Sequence, residues 1–372
     1  MASATGLHIL HDSGAPDKSD YTTLVFVHGY GYHSGTFARM VPYARKFGTR
    51  LILVNRRDYP GATPYSNETK RLLAPGTADP DVRRSSMSRF MKDCALEFIV
   101  FLAELVREGD THLAQPERNT GGIVLVGWSM GGLWMTAFLA HVSSSPHGQT
   151  LRQYVRRVIF YDTPSTTFGY PHPENIFDAF MLAMQGDWRY FTSDWFAGYF
   201  AHGSTVDTLE YKTPLSQPPP TLSTLSPAER QRQSARAPIS RGGSGQILAF
   251  DGYRCELFGE IWRNALYLGL PSPSGVDLDA GRARAAIAEE WEDVEVRHVW
   301  CDMSFWETPH AAMMIQAELA DARAHGRRVR DVASVRLRGM NHFAHWTHPE
   351  RTLQAFLADE ACALESPTPS RL

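Results

Sequence analysis

Gly127-Trp128-Ser129-Met130-Gly131 sets a serine between two glycines at G-x-S-x-G spacing, with an apolar run over 123–126 before it and a helix-like run over 133–142 after it. A serine held at a tight strand-to-helix turn adopts a strained backbone, and a Cβ two residues to either side would collide across that turn. Gly127 and Gly131 remove those Cβ atoms, and Gly132 lets the following helix lie close to the strand. Ser129 Oγ is then lifted above the sheet edge, where the N-terminal amides of the helix face it. That is the arrangement an attacking nucleophile needs. A glycine-rich turn capped by an ordinary serine uses the same residue types, so the flanking strand and helix carry the distinction.

The elements that must position this serine recur along the chain. A strand over 24–27 leads into His28-Gly29-Tyr30-Gly31, and a strand over 50–55 leads into Arg56-Arg57-Asp58-Tyr59-Pro60-Gly61. Residues 37–47 carry apolar side chains at helical spacing. A longer amphipathic helix is expected over 87–107, where Phe90, Cys94, Phe98, Phe101 and Leu105 share one face. A strand over 155–161 follows the serine's helix. Strands alternating with helices at this pitch predict an α/β fold with a mostly parallel sheet covered on both faces.

The rhythm stops after Pro164. Residues 165–284 are rich in aromatics, prolines and glycines, and alternation resumes with a strand over 294–300, a helix over 311–324 and a strand over 334–337. The expected organisation is a core from 1–164 and 285–364, an inserted cap over 165–284 above the functional edge of the sheet, and a flexible tail over 365–372.

The bulk properties narrow the partners. The 372 residues suffice for a large core, and 37 basic against 40 acidic side chains leave a net charge of -3, with no basic field for nucleic acid or an anionic membrane. Cys94, Cys255, Cys301 and Cys362 lack C-x-x-C spacing, which fits a reduced compartment. Neither a leader nor a membrane-length apolar run is expected. Metal-binding and dinucleotide spacings do not occur, so no cofactor is expected. Ser370-Arg371-Leu372 is a conservative variant of the S-K-L peroxisomal address, which sets the peroxisome and its import receptor against a cytoplasmic location.

With the order strand, His-Gly, strand, Gly-x-Ser-x-Gly and a late histidine on the page, the chain resembles the α/β-hydrolase superfamily over nearly its whole length. More narrowly, Asn55-Arg-Arg-Asp-Tyr-Pro-Gly-Ala-Thr-Pro, Gly127-Trp-Ser-Met-Gly, Phe160-Tyr-Asp-Thr-Pro and Asn341-His-Phe-Ala-His-Trp look like fungal α/β-hydrolases often found among secondary-metabolism genes. The motifs are specific for fold and silent on substrate.

The resemblance implies an oxyanion hole from the amides of Met130 and Tyr30, with Gly29 permitting close approach. It implies His342 as the base, with His345 in reserve lining the same pocket. The acid stays open between two aspartates. Most relatives carry it after the penultimate core strand; here that slot holds Ser304, with Asp302 two residues early. Some relatives, the zearalenone-lactonase-like enzymes among them, take it from just after the strand following the nucleophile helix, where Asp162 stands. Asp58, beside Arg56 and Arg57, reads instead as a loop salt bridge.

The implied activity is a serine hydrolase cleaving an ester or lactone of a small hydrophobic or aromatic metabolite. Gly29, Trp128, Trp188, Phe191, Trp195 and His345 are the expected substrate contacts. A thioesterase, acyl transferase, peptidase or C–C hydrolase would use the same serine chemistry. A non-catalytic ligand-binding protein would use only the scaffold.

Overall fold

The computed structural model describes residues 5–17, 19–174, 176–186, 194–268 and 291–359. Seven strands form one sheet in the order β1-β3-β2-β4-β5-β6-β7. They are β1 (His8–Asp12), β2 (Thr22–Val27), β3 (Thr49–Asn55), β4 (Ile123–Trp128), β5 (Val155–Tyr161), β6 (Glu295–Cys301) and β7 (Ala333–Leu337). β1 pairs antiparallel with β3 at one edge; all other pairings are parallel.

Strands β2 to β5 are buried along their full length, because both faces of the sheet are covered. The two-residue period divides their side chains. Val25, Val27, Ile52, Val54 and Leu125 pack with the helices Pro80–Arg107 and Gly132–His141. Leu24, Phe26, Leu51, Leu53 and Val126 pack on the other face with Phe37, Met40, Leu353 and Phe356.

Three elements depart from the sequence expectation. The helix expected over 87–107 begins at Pro80, where Asp79 accepts from the amides of Asp81 and Val82. Its first two turns are polar, so apolar periodicity shows only from Met87. Residues 37–47 hold a 3-10 turn, Ser34–Met40, and a single helical turn, Val41–Ala44. The edge strand β1, HILHD, is half-buried to exposed and carries little apolar signal.

Parallel strands deliver their following loops to one side of the sheet. His28, Ser129, Asp162 and Asp302 therefore emerge from the carboxyl ends of β2, β4, β5 and β6, and the loop after β7 brings His342 to the same side. Trp128 and Tyr161 are register partners, so Ser129 and Asp162 leave neighbouring strands side by side. In the long β5–β6 connection, the helices Ser244–Arg254 and Leu257–Leu266 join the core cluster under Pro80–Arg107. Trp195, Phe200 and Leu209 pack on Phe305 and Trp306.

Candidate active site

Ser129 sits in the left-handed region with φ +54°, a conformation that costs a side-chain-bearing residue free energy and persists only where its surroundings enforce it. The enforcement is steric. A Cβ on Gly127 would lie 2.5 Å from the Gly131 carbonyl, and one on Gly131 would lie 2.5 Å from the Val27 carbonyl. Only glycines allow the turn to close against β2, and the helix Gly132–His141 starts directly behind the serine.

His342 is the ring that shares a cavity with Ser129. Its Nδ1 lies 2.7 Å from Asp162 Oδ2. Its carbonyl accepts from Trp128 Nε1 at 3.0 Å, and its ring packs between Trp128 and Phe305 at centroid distances of 4.8 and 4.9 Å. These contacts fix both the plane of the imidazole and the side it presents to the cavity.

Asp162 is fully buried with φ +46°, so β5 ends on a second left-handed residue. The Cys301 amide donates to Oδ1 at 2.8 Å and the Ser304 hydroxyl donates to Oδ2 at 2.7 Å. The carboxylate is thus held by two neutral donors from the end of β6 and by His342. Ser304, in the slot where most relatives carry the acid, supplies a hydrogen bond to it.

Asp302 is elsewhere. Its carboxylate pairs with Arg336 and accepts from the Gly339 amide at 2.7 Å, pinning the turn after β7, and it lines a separate cavity of about 350 Å³. The expectation that kept Asp302 beside Asp162 as a triad acid is corrected: the structure brings Asp162, not Asp302, to His342.

The loop after β2 is set by Arg56, which the sequence places beside Asp58 in an expected loop salt bridge. Arg56 is buried between Tyr59 and Trp134, its guanidinium 4.8 and 4.1 Å from their ring centroids. Its Nη2 donates to the Gly29 carbonyl at 2.8 Å, and His28 Nδ1 lies 3.1 Å from the same oxygen. Burial, followed by the Arg56 charge, holds the His28 pKa well below its ordinary value. A neutral ring can then donate from Nδ1 while Nε2 accepts from the Arg56 amide. In a trans peptide the C=O and the next N–H point in opposite directions. Fixing the Gly29 carbonyl therefore aims the Tyr30 N–H away from Arg56. Tyr30 and Met130 both line the cavity that holds Ser129. Asp58 also departs from the salt-bridge reading: it accepts from the Tyr65 amide, and Arg57 pairs with Glu97.

The cavity measures about 490 Å³. Trp128 lines it. Gly29 does not; it lies behind the serine, where a Cβ would come within 2.8 Å of Ser129 Cβ. His345 also faces away. It is fully buried between Thr36 and Tyr161, whose hydroxyls lie 3.0 and 3.3 Å from Nε2 and Nδ1. Burial and the nearby His342 push its pKa well below the usual value, so it is a neutral core ring. Trp195 donates Nε1 to the Lys212 carbonyl and packs in the Phe305–Trp306 cluster, so it too is a packing residue. Trp188 and Phe191, like Ser370, Arg371, Leu372 and Cys362, lie outside the described residues. The apolar wall is formed instead by Phe180, Phe196, Leu222, Phe258 and Phe305.

The sequence matches the alpha/beta hydrolase family over residues 24–355. The chain belongs to that family. Among solved structures, this α/β-hydrolase is similar to a bromoperoxidase from Bacillus anthracis, with 15% identity, 94% of each chain covered and a TM-score of 0.43. It is also similar to an esterase from Exiguobacterium antarcticum, with 12% identity, 96% of this chain and 100% of that chain covered and a TM-score of 0.43. A lipase-esterase related protein from Clostridium acetobutylicum aligns at 12% identity over 94% of this chain and 100% of that one, with a TM-score of 0.41. Similarity at this level does not distinguish one activity from another. No curated protein matched the sequence.

Two residue sets of this α/β-hydrolase escaped the sequence reading. Arg56 was visible as a cation directly after a strand, but its partners, a backbone carbonyl and two rings, leave no charge pattern. Thr166 and Glu307 reach the cavity from segments 141 residues apart, with no spacing to link them.

Proposed function

We propose that this α/β-hydrolase is a serine hydrolase that cleaves an ester or lactone of a small, largely apolar metabolite. The observation that carries the reading is the His342–Asp162 hydrogen bond at 2.7 Å, made in the cavity wall that also holds the left-handed Ser129.

In the proposed mechanism His342 Nε2 takes the Ser129 proton as Oγ attacks the carbonyl carbon. Asp162 holds Nδ1 protonated and stabilises the imidazolium. The oxygen that becomes negative is received by the amides of Met130 and Tyr30. His342 then returns the proton to the leaving oxygen, which departs as an alcohol or, from a lactone, stays tethered to the acyl group. Water activated by the same ring attacks the acyl-enzyme and regenerates Ser129. The β5–β6 connection acts as the cap, and Phe180, Phe196 and Phe258 favour an apolar acyl or alcohol portion.

The test is a panel of esters, lactones and thioesters assayed with wild type and Ser129→Ala. The reading expects oxygen esters or lactones to turn over best and all turnover to vanish in Ser129→Ala. Preferential thioester cleavage would replace the substrate class, and activity persisting in Ser129→Ala would overturn the mechanism.

A further inference from the structure

The wall of the Ser129 cavity contains a buried acidic side chain that the proposed mechanism does not use. Glu307, the first residue of the helix Glu307–Ala324, is 5% exposed and still lines the cavity. Its Oε2 accepts from Thr166 Oγ1 at 2.6 Å, and Thr166 lines the cavity as well. On the far side of the carboxylate is His172, whose Nε2 lies 3.8 Å from Oε2 and is buried without a hydrogen-bond partner. His172 Nδ1 pairs with Asp178, which caps the helix Ala179–Met184 through the Met181 amide.

Burial opposes the charge on this histidine, but the hydrogen bond to Asp178 and the nearby Glu307 side chain carry its pKa up to about 10. The cluster sets two acidic side chains, Asp178 and Glu307, around one histidine in a mostly apolar wall. A buried carboxylate without full compensation is costly to maintain. A donor brought by a ligand supplies the missing compensation. The two cations that also line the cavity, Arg230 and Arg236, belong to the β5–β6 connection and are half-buried and exposed, so water screens them more than it screens Glu307.

We propose that Glu307, supported by Thr166 and His172, is a substrate-recognition point that accepts a hydrogen bond from a donor group, a hydroxyl or an ammonium, placed elsewhere on the substrate than its scissile carbonyl. The substrate class sharpens accordingly from a plain hydrophobic ester to a hydroxylated or aminated one. The inference rests on the serine-hydrolase reading for where the carbonyl sits, but its test does not need turnover.

Non-hydrolysable alkyl methyl ketones of increasing chain length, each ending in a methyl, hydroxyl or ammonium group, are titrated by calorimetry into wild type, Glu307→Gln and Thr166→Val. At the matching length, wild type is expected to bind the hydroxyl or ammonium ligand about tenfold tighter than the methyl ligand, the order expected of a hydrogen bond to a charged group. Glu307→Gln should abolish the ammonium preference and reduce the hydroxyl preference, while Thr166→Val, which removes the hydroxyl that orients the carboxylate, should weaken both without abolishing them. A preference confined to ammonium identifies an amine, and a preference for both identifies a general donor site. Equal binding of all three ligands by wild type at every length would overturn the proposal, whatever the variants do. So would an undiminished preference in a Glu307→Gln protein with native circular dichroism. Neither result bears on covalent labelling of Ser129, so failure here and failure of the hydrolase reading remain distinguishable.

Discussion

Asp162 Oδ2 and His342 Nδ1 lie 2.7 Å apart, joining the end of β5 to the loop after β7 across the intervening strand β6. The strand that is bridged contributes the amide of Cys301 and the hydroxyl of Ser304 to the same carboxylate. In the proposed mechanism the acid is displaced by one strand from the position expected from most relatives, and Ser304 in that slot donates to it.

This geometry separates the two candidate acids. Asp162→Asn should lower kcat by about four orders of magnitude, because an amide stabilises the wrong imidazole tautomer and cannot balance the imidazolium. Asp302→Asn should change kcat by less than about threefold and act on stability, since its partners are Arg336 and Gly339. Steady-state kinetics on any turned-over ester, beside thermal melts, measures both; equal losses would contradict the assignment.

Ser304→Ala removes one neutral donor from Asp162 Oδ2. The expected result is a fall in kcat of about tenfold with KM nearly unchanged, corresponding to one buried hydrogen bond. Ser304→Thr, which keeps the hydroxyl, should recover part of the loss. A change confined to KM would place Ser304 outside the Asp162 network.

Arg56 acts, in this account, through the Gly29 carbonyl on the Tyr30 amide. Arg56→Met should lower kcat by about ten- to a hundredfold, within the range for weakening one oxyanion donor, with a smaller effect on KM. Arg56→Lys should rescue part of the rate if the donated hydrogen bond is what matters. If the melanges of rate loss and melting-temperature loss track each other through both variants, the role is packing alone.

The sign of the His172 shift sets a pH dependence of stability. Its folded pKa of about 10 lies above the ordinary 6.5 of the unfolded chain, so its stabilisation is fully present below pH about 6.5 and is lost as pH rises towards 10. Thermal melts of wild type should therefore fall across that window more steeply than those of His172→Gln. Parallel curves would show that His172 is not held protonated by Asp178 and Glu307.

How much was legible in the sequence follows from how local each signal is. The strand, turn and helix around Ser129 lie within one continuous stretch, so spacing and apolar runs reveal them. β5 was likewise legible as a continuous buried run. The acid was not, because choosing Asp162 over Asp302 depends on which strand end His342 leans towards, a matter of tertiary packing. Aromatic content pointed to an apolar cavity, but Trp195 and Phe196 are adjacent and only Phe196 faces it. His345 illustrates the same limit: three residues from His342, it turns into the core and pairs with Thr36 and Tyr161.

The central claim is that Ser129 is a nucleophile activated by His342. Incubating the folded protein with a fluorophosphonate and mapping the adduct by peptide mass spectrometry tests it most directly. The account predicts a single adduct on Ser129 whose formation is abolished in Ser129→Ala and slowed by orders of magnitude in His342→Ala. An unmodified Ser129 in protein with native circular dichroism would contradict it.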